Sequence, residues 1–551
     1  SRRRRPTMAD DAPTRRPPTR LIAAGLAILA GLAPAFAFPP FGVLPGLVGF
    51  ALMMALFDRA DAGRPLRSAF WRGWLAGTAF FAVSTWWVYQ AFQVDAADQG
   101  WMAPIAVALL ASGLGLIWGA AGLTYRAIAP RGIARVLVFA GVMAAFEWVR
   151  GHLLTGFPWD LPGESWAAGS PISQAAAVVG AYGLTWITIA AAATPALLLD
   201  AGARVRGGLA CLAAGLVLGG LYAAGAARLS HPAPPDPNAP MVRIVQADLP
   251  EVDHYDAVSY AATVHTLLGL TAEPAARRPD IVVWPERAIP GDFDSYLKLG
   301  TWTHDAITAA LQPGQILMTG GYRSAVAPPG ADAPDGLVYF NSLLAIRRAP
   351  QGIEPLALYD KHRLVPFGEY MPLARYLRPL HIEELVHIGD GFSHGPRPRA
   401  IDLDSAPPVQ PLICYEALYP GFTREGTIAS GVRPAWIVNV SDDAWFGGTY
   451  GPVQHLNLAS YRAIEEGLPI IRATPTGVSA VVDAYGRSPG RLRLAQGRAG
   501  VIDAPLPPAL GPTAFDRWGE TPFALMLLVS LVAGVSTSER TPRLIARLRA
   551  G

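Results

Sequence analysis

The chain has little cysteine, little lysine and little charge, and each shortage excludes something. Two cysteines in 551 residues, Cys211 and Cys414, leave no disulfide framework and no paired-cysteine zinc site. Lys298 and Lys361 are the only lysines among 45 Lys and Arg residues. Arginine therefore does almost all of the basic work, and a lysine draws attention to its titratable amine. Only 16% of residues are charged against 51% hydrophobic, a balance that points to a membrane protein. The formal charge of +3 is gathered in the tails and in short loops, a distribution that argues against nucleic-acid binding.

Long apolar segments account for this composition. A spanning helix needs roughly 20 predominantly apolar residues, and seven candidates precede residue 230: about 20–38, 42–57, 69–92, 102–124, 134–149, 172–199 and 207–227. An eighth, about 521–536, is short. The first segment resembles a signal peptide in position, but the repeated spans after it favour retention. Arg2 to Arg5, Arg15, Arg16 and Arg20 precede the first span, and Arg59, Arg64, Arg67, Arg126, Arg131, Arg204 and Arg206 occupy alternate connections. The other connections hold Asp95, Asp98 and only Arg150. The excess of arginine marks the cytoplasmic side, so both termini are expected in the cytoplasm and the segment after the seventh span on the far side. The expected organisation is a basic tail (1–19), a seven-helix membrane domain (20–228), a proline-rich linker (229–240), an α/β domain (241–508), a return segment with the eighth helix (509–536), and a second basic tail (537–551).

Within 241–508, β-branched runs such as "VRIVQA", "IVVW", "ILMTGG", "PLALYD", "PLIC", "AWIVNV" and "VSAVVDA" alternate with helix-like stretches at 256–272 and 452–467. Three runs end in a reactive residue: "IVVWPE" in Glu286, "LALYDK" in Lys361 and "PLICYE" in Cys414. If these strands share a sheet, their ends converge where open α/β sheets commonly build sites. Glu286 can then take the thiol proton, Cys414 can attack a carbonyl as thiolate, and Lys361 can stabilise the oxyanion.

Each residue also has a plainer reading. A strand-end cysteine is commonly a small buried hydrophobe. Glu286 could pair with Arg287 at the surface, and Lys361 lies in "DKHR", which alone resembles a solvated charge cluster. His362, His381, His387 and His455 lack metal-ligand spacing, and the adjacent Asp442 and Asp443 suit a turn or cap. No metal site is expected.

Taken together, these segments resemble the nitrilase superfamily. The blocks "VVWPERAIP", "YDKHRLVPFGEYMP", "ICYEALYP", "SDDAWFGG" and "RATPTGVSAVVDAYG" are similar to the apolipoprotein N-acyltransferase family within it. The membrane part joins in through "FAFPPFG" and "FEWVRGHLLTGFPW". The resemblance implies an αββα sandwich carried on about eight transmembrane helices. It also implies Glu286 as base, Lys361 as oxyanion stabiliser and Cys414 as nucleophile, supported by Glu369, Tyr415 and Glu416. Tyr255, Trp445, Phe446 and Trp159 are expected as substrate or loop contacts. Three departures from the family pattern stand out: Asp442 and Pro475 replace asparagines, and His254 with Tyr255 replaces a Lys-Trp pair.

The implied reaction moves the sn-1 acyl chain of a phospholipid to Cys414 as a thioester. From there it passes to the α-amine of a diacylglyceryl cysteine on an apolipoprotein. No cofactor is implied, the partners are the two lipid substrates and the bilayer of the bacterial inner membrane, the catalytic domain faces the periplasm, and a monomer is expected. A membrane-tethered amidase and a non-catalytic transporter or scaffold are the alternatives. Glu147 and Arg150, three residues apart, are expected to pair, and residues 156–159 to form an interfacial element beneath the site.

Overall fold

In the computed structural model, residues 19–200, 202–249, 256–329, 336–372 and 391–538 are described. His254, Tyr255, His381, His387, the basic residues 2–16 and those beyond 539 lie outside them.

Helices occur in all eight apolar regions. Those at Gly100–Ile128, Ile172–Leu199 and Arg204–Leu229 are long and apolar enough to cross a membrane, and Arg20–Ala35, Leu44–Asp58 and Thr521–Thr537 are shorter apolar helices. Pro65–Ser84 and Arg135–His152 complete the group, and both carry buried charge. Arg72 donates to the Leu56 and Arg59 carbonyls (2.7 and 2.8 Å) and pairs with Asp61 at 3.0 Å, satisfying the open end of the preceding helix. Glu147 accepts from Arg150 Nε at 2.9 Å and from the Trp118 indole. The expected pairing is therefore present. The helix expected over 69–92 ends at Ser84, where the chain turns to meet the second domain.

The α/β domain has two mixed sheets. We number its strands β1 (Met241–Gln246), β2 (Ile281–Val283), β3 (Ile316–Val326), β4 (Leu337–Ala349), β5 (Gly352–Asp360), β6 (Val409–Ile413), β7 (Trp436–Val440), β8 (Ile470–Ala473), β9 (Ser479–Val482), β10 (Arg493–Leu494) and β11 (Gly500–Pro505). One sheet runs β11-β1-β2-β3-β4-β5 and the other β10-β9-β8-β7-β6. In each, the parallel pairs (β1/β2/β3 and β6/β7/β8) are flanked by antiparallel ones.

Strand periodicity makes four layers from these two sheets. Val242, Ile244, Ile281 and Val283 face Val409, Ile413, Trp436, Val438 and Val440 across a shared core. The intervening residues point the other way: Val245 and Val282 pack on the helix Ala257–Thr271, and Leu412, Ile437 and Ile470 on the helix Gly451–Glu466. Both faces of each sheet are covered, which is why these strands read as unbroken apolar runs. The helix-sheet-sheet-helix sandwich agrees with the expected fold class. Strand β4, thirteen residues long, was absent from the expected set.

The sandwich is seated on the membrane helices through Gly451–Glu466. Asn457 donates to the Glu164 carbonyl (2.9 Å) and accepts from Ala168 N (2.8 Å), Arg462 pairs with Glu164 (3.2 Å), and the Glu465 carboxylate caps Ala181 N (2.8 Å). Gly180 permits this approach, since its φ of +67° and the Phe515 ring, 2.4 Å from a built Cβ, exclude a side chain.

Gly320 of β3 lies against the backbone of Glu286, with a built Cβ 2.5 Å from the Glu286 Cα. Gly320→Ala is expected to push that segment out of place, at a cost of about 1–3 kcal/mol. A lower unfolding temperature in detergent, with a loss of the expected acyl transfer larger than the fraction unfolded, checks this.

Candidate active site

The three residues expected to react lie just past the carboxyl ends of β2, β5 and β6. After β2 the chain continues along β3, with Trp284 N donating to Met318 O (2.9 Å) and Gly320 N to Pro285 O (3.1 Å), and this delivers Glu286. Lys361 follows β5 directly and donates its amide to Asn341 O of β4 (2.8 Å). Cys414 follows β6 at a φ of +48°, an uncommon conformation for a residue with a side chain, and opens the turn Cys414–Leu418.

Lys361 is 1% exposed and its ammonium lies between two carboxylates, 3.2 Å from Glu286 Oε1 and 2.9 Å from Glu369 Oε1. The Asn341 amide joins the same two oxygens at 2.7 and 2.6 Å. Glu286 Oε2 accepts the Asp442 amide (2.7 Å), and Glu369 Oε2 accepts that of Val365 (2.8 Å). Both carboxylates are thus held at each oxygen. The surface pairing of Glu286 with Arg287 does not occur: Glu286 is buried, and Arg287 reaches Asp442 at 3.7 Å. The other lysine, Lys298, is exposed.

Electrostatics at the site pull in opposite directions. Burial disfavours the Lys361 charge, but Glu286 and Glu369 more than reverse this, so the amine is held above its ordinary range. Burial, then the Glu286 carboxylate, push the Cys414 thiol far above its usual value, while Lys361 and the Ser441 hydroxyl pull it down. This environment favours the neutral thiol over the thiolate, and a carboxylate stands beside it.

Glu416 explains how these elements keep their register. Its Oε2 accepts from Ile413 N (2.8 Å), and its Oε1 from Tyr359 Oη (2.9 Å), His362 N (2.7 Å) and Arg363 N (3.1 Å). One buried carboxylate thereby ties the Tyr359 hydroxyl and the backbone that follows Lys361 to the strand that ends at Cys414. Burial raises its pKa to about 7 against the pull of these donors. Tyr415 reaches in another direction, donating to the Gly156 carbonyl, and Tyr419 donates to Thr155 O and Gly156 O (2.8 and 2.9 Å). Residues 155–159 therefore underlie the turn of Cys414, as expected for that segment. Arg150, paired with Glu147, donates to the Phe157 and Trp159 carbonyls from the membrane side.

The expected substrate or loop contacts divide. Trp159 and Phe446 are buried together with Trp87, with ring centroids 4.6 to 5.8 Å apart. Trp445 is exposed, at the surface rather than in this cluster. Asp443 is no surface cap: it is fully buried and pairs with both oxygens on Arg472 Nη2 at 2.8 Å, with Ser441 Oγ (2.8 Å) and His455 Nδ1 (3.1 Å) on Oδ1. Despite burial, the Arg472 and His455 neighbours hold its carboxyl well below the usual range. Asp442 keeps the turn role, accepting from Ala444 N at 3.2 Å. The Pro475 carbonyl accepts Leu249 N (3.3 Å).

Asn341 was missed because β4 was missed. Its segment "LVYFNSLLAIRRA" has the β-branched and aromatic content of a strand, which is the signal for β4; the meeting of Asn341 with the two carboxylates is set by the fold. The Asp443, His455 and Arg472 cluster carried no such signal, because its members come from three separate elements.

Glu416→Gln places an amide donor where backbone N–H groups already point. We expect a loss of about 1–3 kcal/mol in stability, read as a lower unfolding temperature in detergent, with the expected acyl transfer slower in the fraction that remains folded.

Comparison with known proteins agrees with this architecture. Residues 30–194 match the family model described as Apolipoprotein N-acyltransferase N-terminal domain, and residues 241–510 match Carbon-nitrogen hydrolase. The chain is similar to the apolipoprotein N-acyltransferase of Caulobacter vibrioides, 52% identical over 507 residues that cover 92% of this chain and 93% of that protein. It is also similar to that of Brucella melitensis, 38% identical over 527 residues covering 92% and 94%. Among solved structures it matches an amidase of Nesterenkonia AN1 from the nitrilase superfamily, at 16% identity and a TM-score of 0.31 over 49% of this chain and 93% of that one. The chain belongs to the apolipoprotein N-acyltransferase family and is an acyltransferase of lipoprotein biosynthesis with a nitrilase-like domain.

Proposed function

We propose that this enzyme transfers the sn-1 acyl chain of a phospholipid, through a thioester on Cys414, to the N-terminal α-amine of a diacylglyceryl cysteine on an apolipoprotein. The observation that carries this reading is the meeting of buried Glu286 and Lys361 with half-buried Cys414, next to a loop of the membrane helices.

In the first step Glu286 takes the Cys414 proton, and the sulfur attacks the ester carbonyl. Lys361, beside both groups, stabilises the oxyanion, and Glu286 returns its proton to the leaving oxygen as the intermediate collapses and lysophospholipid departs. In the second step the Glu286 carboxylate accepts a proton from the incoming amine, the amide bond forms, and the C–S bond breaks as Glu286 passes that proton to the sulfur and restores the thiol. The sequence ester, thioester, amide is carried by these side chains alone and calls for no cofactor. Exclusion of water protects the thioester. The seating of the site against Gly156 and the Trp87, Trp159 and Phe446 cluster suits that need and an entry path from lipid. A tethered amidase, which would use water instead of an amine, has no use for this close fit to membrane helices.

The proposed setting is the bacterial inner membrane, crossed eight times, with the catalytic domain periplasmic. Arg135 pairs with Asp58 (3.4 Å) and Asp200 (2.8 Å), and Ser538 Oγ donates to Ile128 O (2.6 Å), so the helix ends next to the arginine-rich connections gather together. The catalytic domain meets the opposite ends, where Tyr450 bonds Val83 O. This segregation is what an arginine-rich cytoplasmic side requires.

With phospholipid and no acceptor, an acyl mass should accumulate on the peptide bearing Cys414 and disappear when a diacylated lipopeptide is added. Cys414→Ala should abolish the adduct and Cys211→Ala should leave it; a folded protein that forms none rejects the acyl-enzyme. A thiol reagent unable to cross the inner membrane should label Cys414 from the periplasmic side, and labelling from the cytoplasm alone rejects the topology.

A further inference from the structure

Strands β6 and β7 are parallel, with Ile413 opposite Val440. The next residue on each, Cys414 and Ser441, therefore sit side by side where the two strands end. The serine side chain is fully buried and within hydrogen-bonding reach of the thiol. At rest its single proton is donated to Asp443 Oδ1 at 2.8 Å. That bond is dispensable to Asp443, whose two oxygens keep the Arg472 guanidinium at 2.8 Å. A hydroxyl can be redirected by rotation about its C–O bond with no movement of the side chain.

A donor of this kind answers a need that the charged groups leave open. The sulfur is surrounded by Glu286 from the segment after β2, Lys361 after β5 with Glu369 beyond it, and Asp443 after β7. His455 of the helix Gly451–Glu466 and Arg472 of β8 stand behind Asp443. Lys361 is the one cation at the sulfur among these, and it is shared with two carboxylates.

We propose that Ser441 is a further catalytic residue, whose hydroxyl turns from Asp443 to the Cys414 sulfur and donates to the thiolate as it forms. The S–H bond breaks and its proton goes to Glu286, while Ser441 keeps its own proton and changes only its direction. Acylation neutralises the sulfur, and the hydroxyl returns to Asp443. The inference rests on Cys414 being the acyl-carrying nucleophile.

The test uses full-length protein carrying Cys211→Ala in detergent with phospholipid. Two quantities are read by mass on the peptide bearing Cys414: the rate of iodoacetamide alkylation near neutral pH, and the rate of acyl-adduct formation. Ser441→Ala should slow each about tenfold, with the KM for phospholipid unchanged. Ser441→Thr, which keeps the hydroxyl, should restore both. Ser441→Cys has serine's shape and only a weak donor, should behave like Ser441→Ala, and replaces it if alanine impairs folding. Alkylation and adduct rates equal to those of the parent, or slower adduct formation with unchanged alkylation, overturn the proposal. Cys414→Ala runs in parallel: an adduct that persists there defeats the underlying reading, whereas one lost there but unaffected in Ser441→Ala defeats this inference alone.

Discussion

Everything at the centre of this protein depends on one ammonium group held between two carboxylates away from water. Lys361 between Glu286 and Glu369 is a buried arrangement with more acid than base. Such a set is stable only if the remaining lone pairs find donors, because desolvation of each charge is costly. Asn341 and the amides of Asp442 and Val365 provide them. The fold can be understood as the means of bringing those donors from β4, from the end of β7 and from the loop after β5 to one point.

The same constraint shapes the chemistry. Placing a thiol beside Glu286 in a dry site raises its pKa, so a free thiolate is not the resting state. Moving the proton from Cys414 to Glu286 only relocates one negative charge within reach of Lys361, which is far less costly than creating a new one. The proposed nucleophile and base therefore have to be neighbours, and Glu416 fixes the proposed oxyanion stabiliser against the nucleophile, because its four hydrogen bonds join the Lys361 turn to the Cys414 turn.

A second link runs between the site and the membrane helices. The Glu147 and Arg150 pair orients the Phe157 and Trp159 carbonyls, and the neighbouring Gly156 carbonyl accepts from Tyr415, the residue after the nucleophile. The catalytic turn is thus positioned partly from within the bilayer-facing domain. This joins the two halves into one enzyme rather than an enzyme and an anchor.

Local pattern was enough for several features. The apolar segments, the strands delivering Glu286, Lys361 and Cys414, and the helices near 256–272 and 452–467 were legible because period-2 and long apolar runs are written in consecutive residues. The rarity of lysine singled out Lys361, and the ordered blocks pointed to the family. Asn341, the Asp443 and Arg472 pair, and the four partners of Glu416 were decided only by tertiary structure. Apart from the Ile413 amide, three residues before Glu416, these bonds join residues 28 to 57 positions apart, and a hydrogen bond across such a separation leaves no periodic trace. Cys414 shows both sides: its place at a strand end could be read from "PLICYE", but its reactivity depends on charges that the folded chain alone brings to the sulfur.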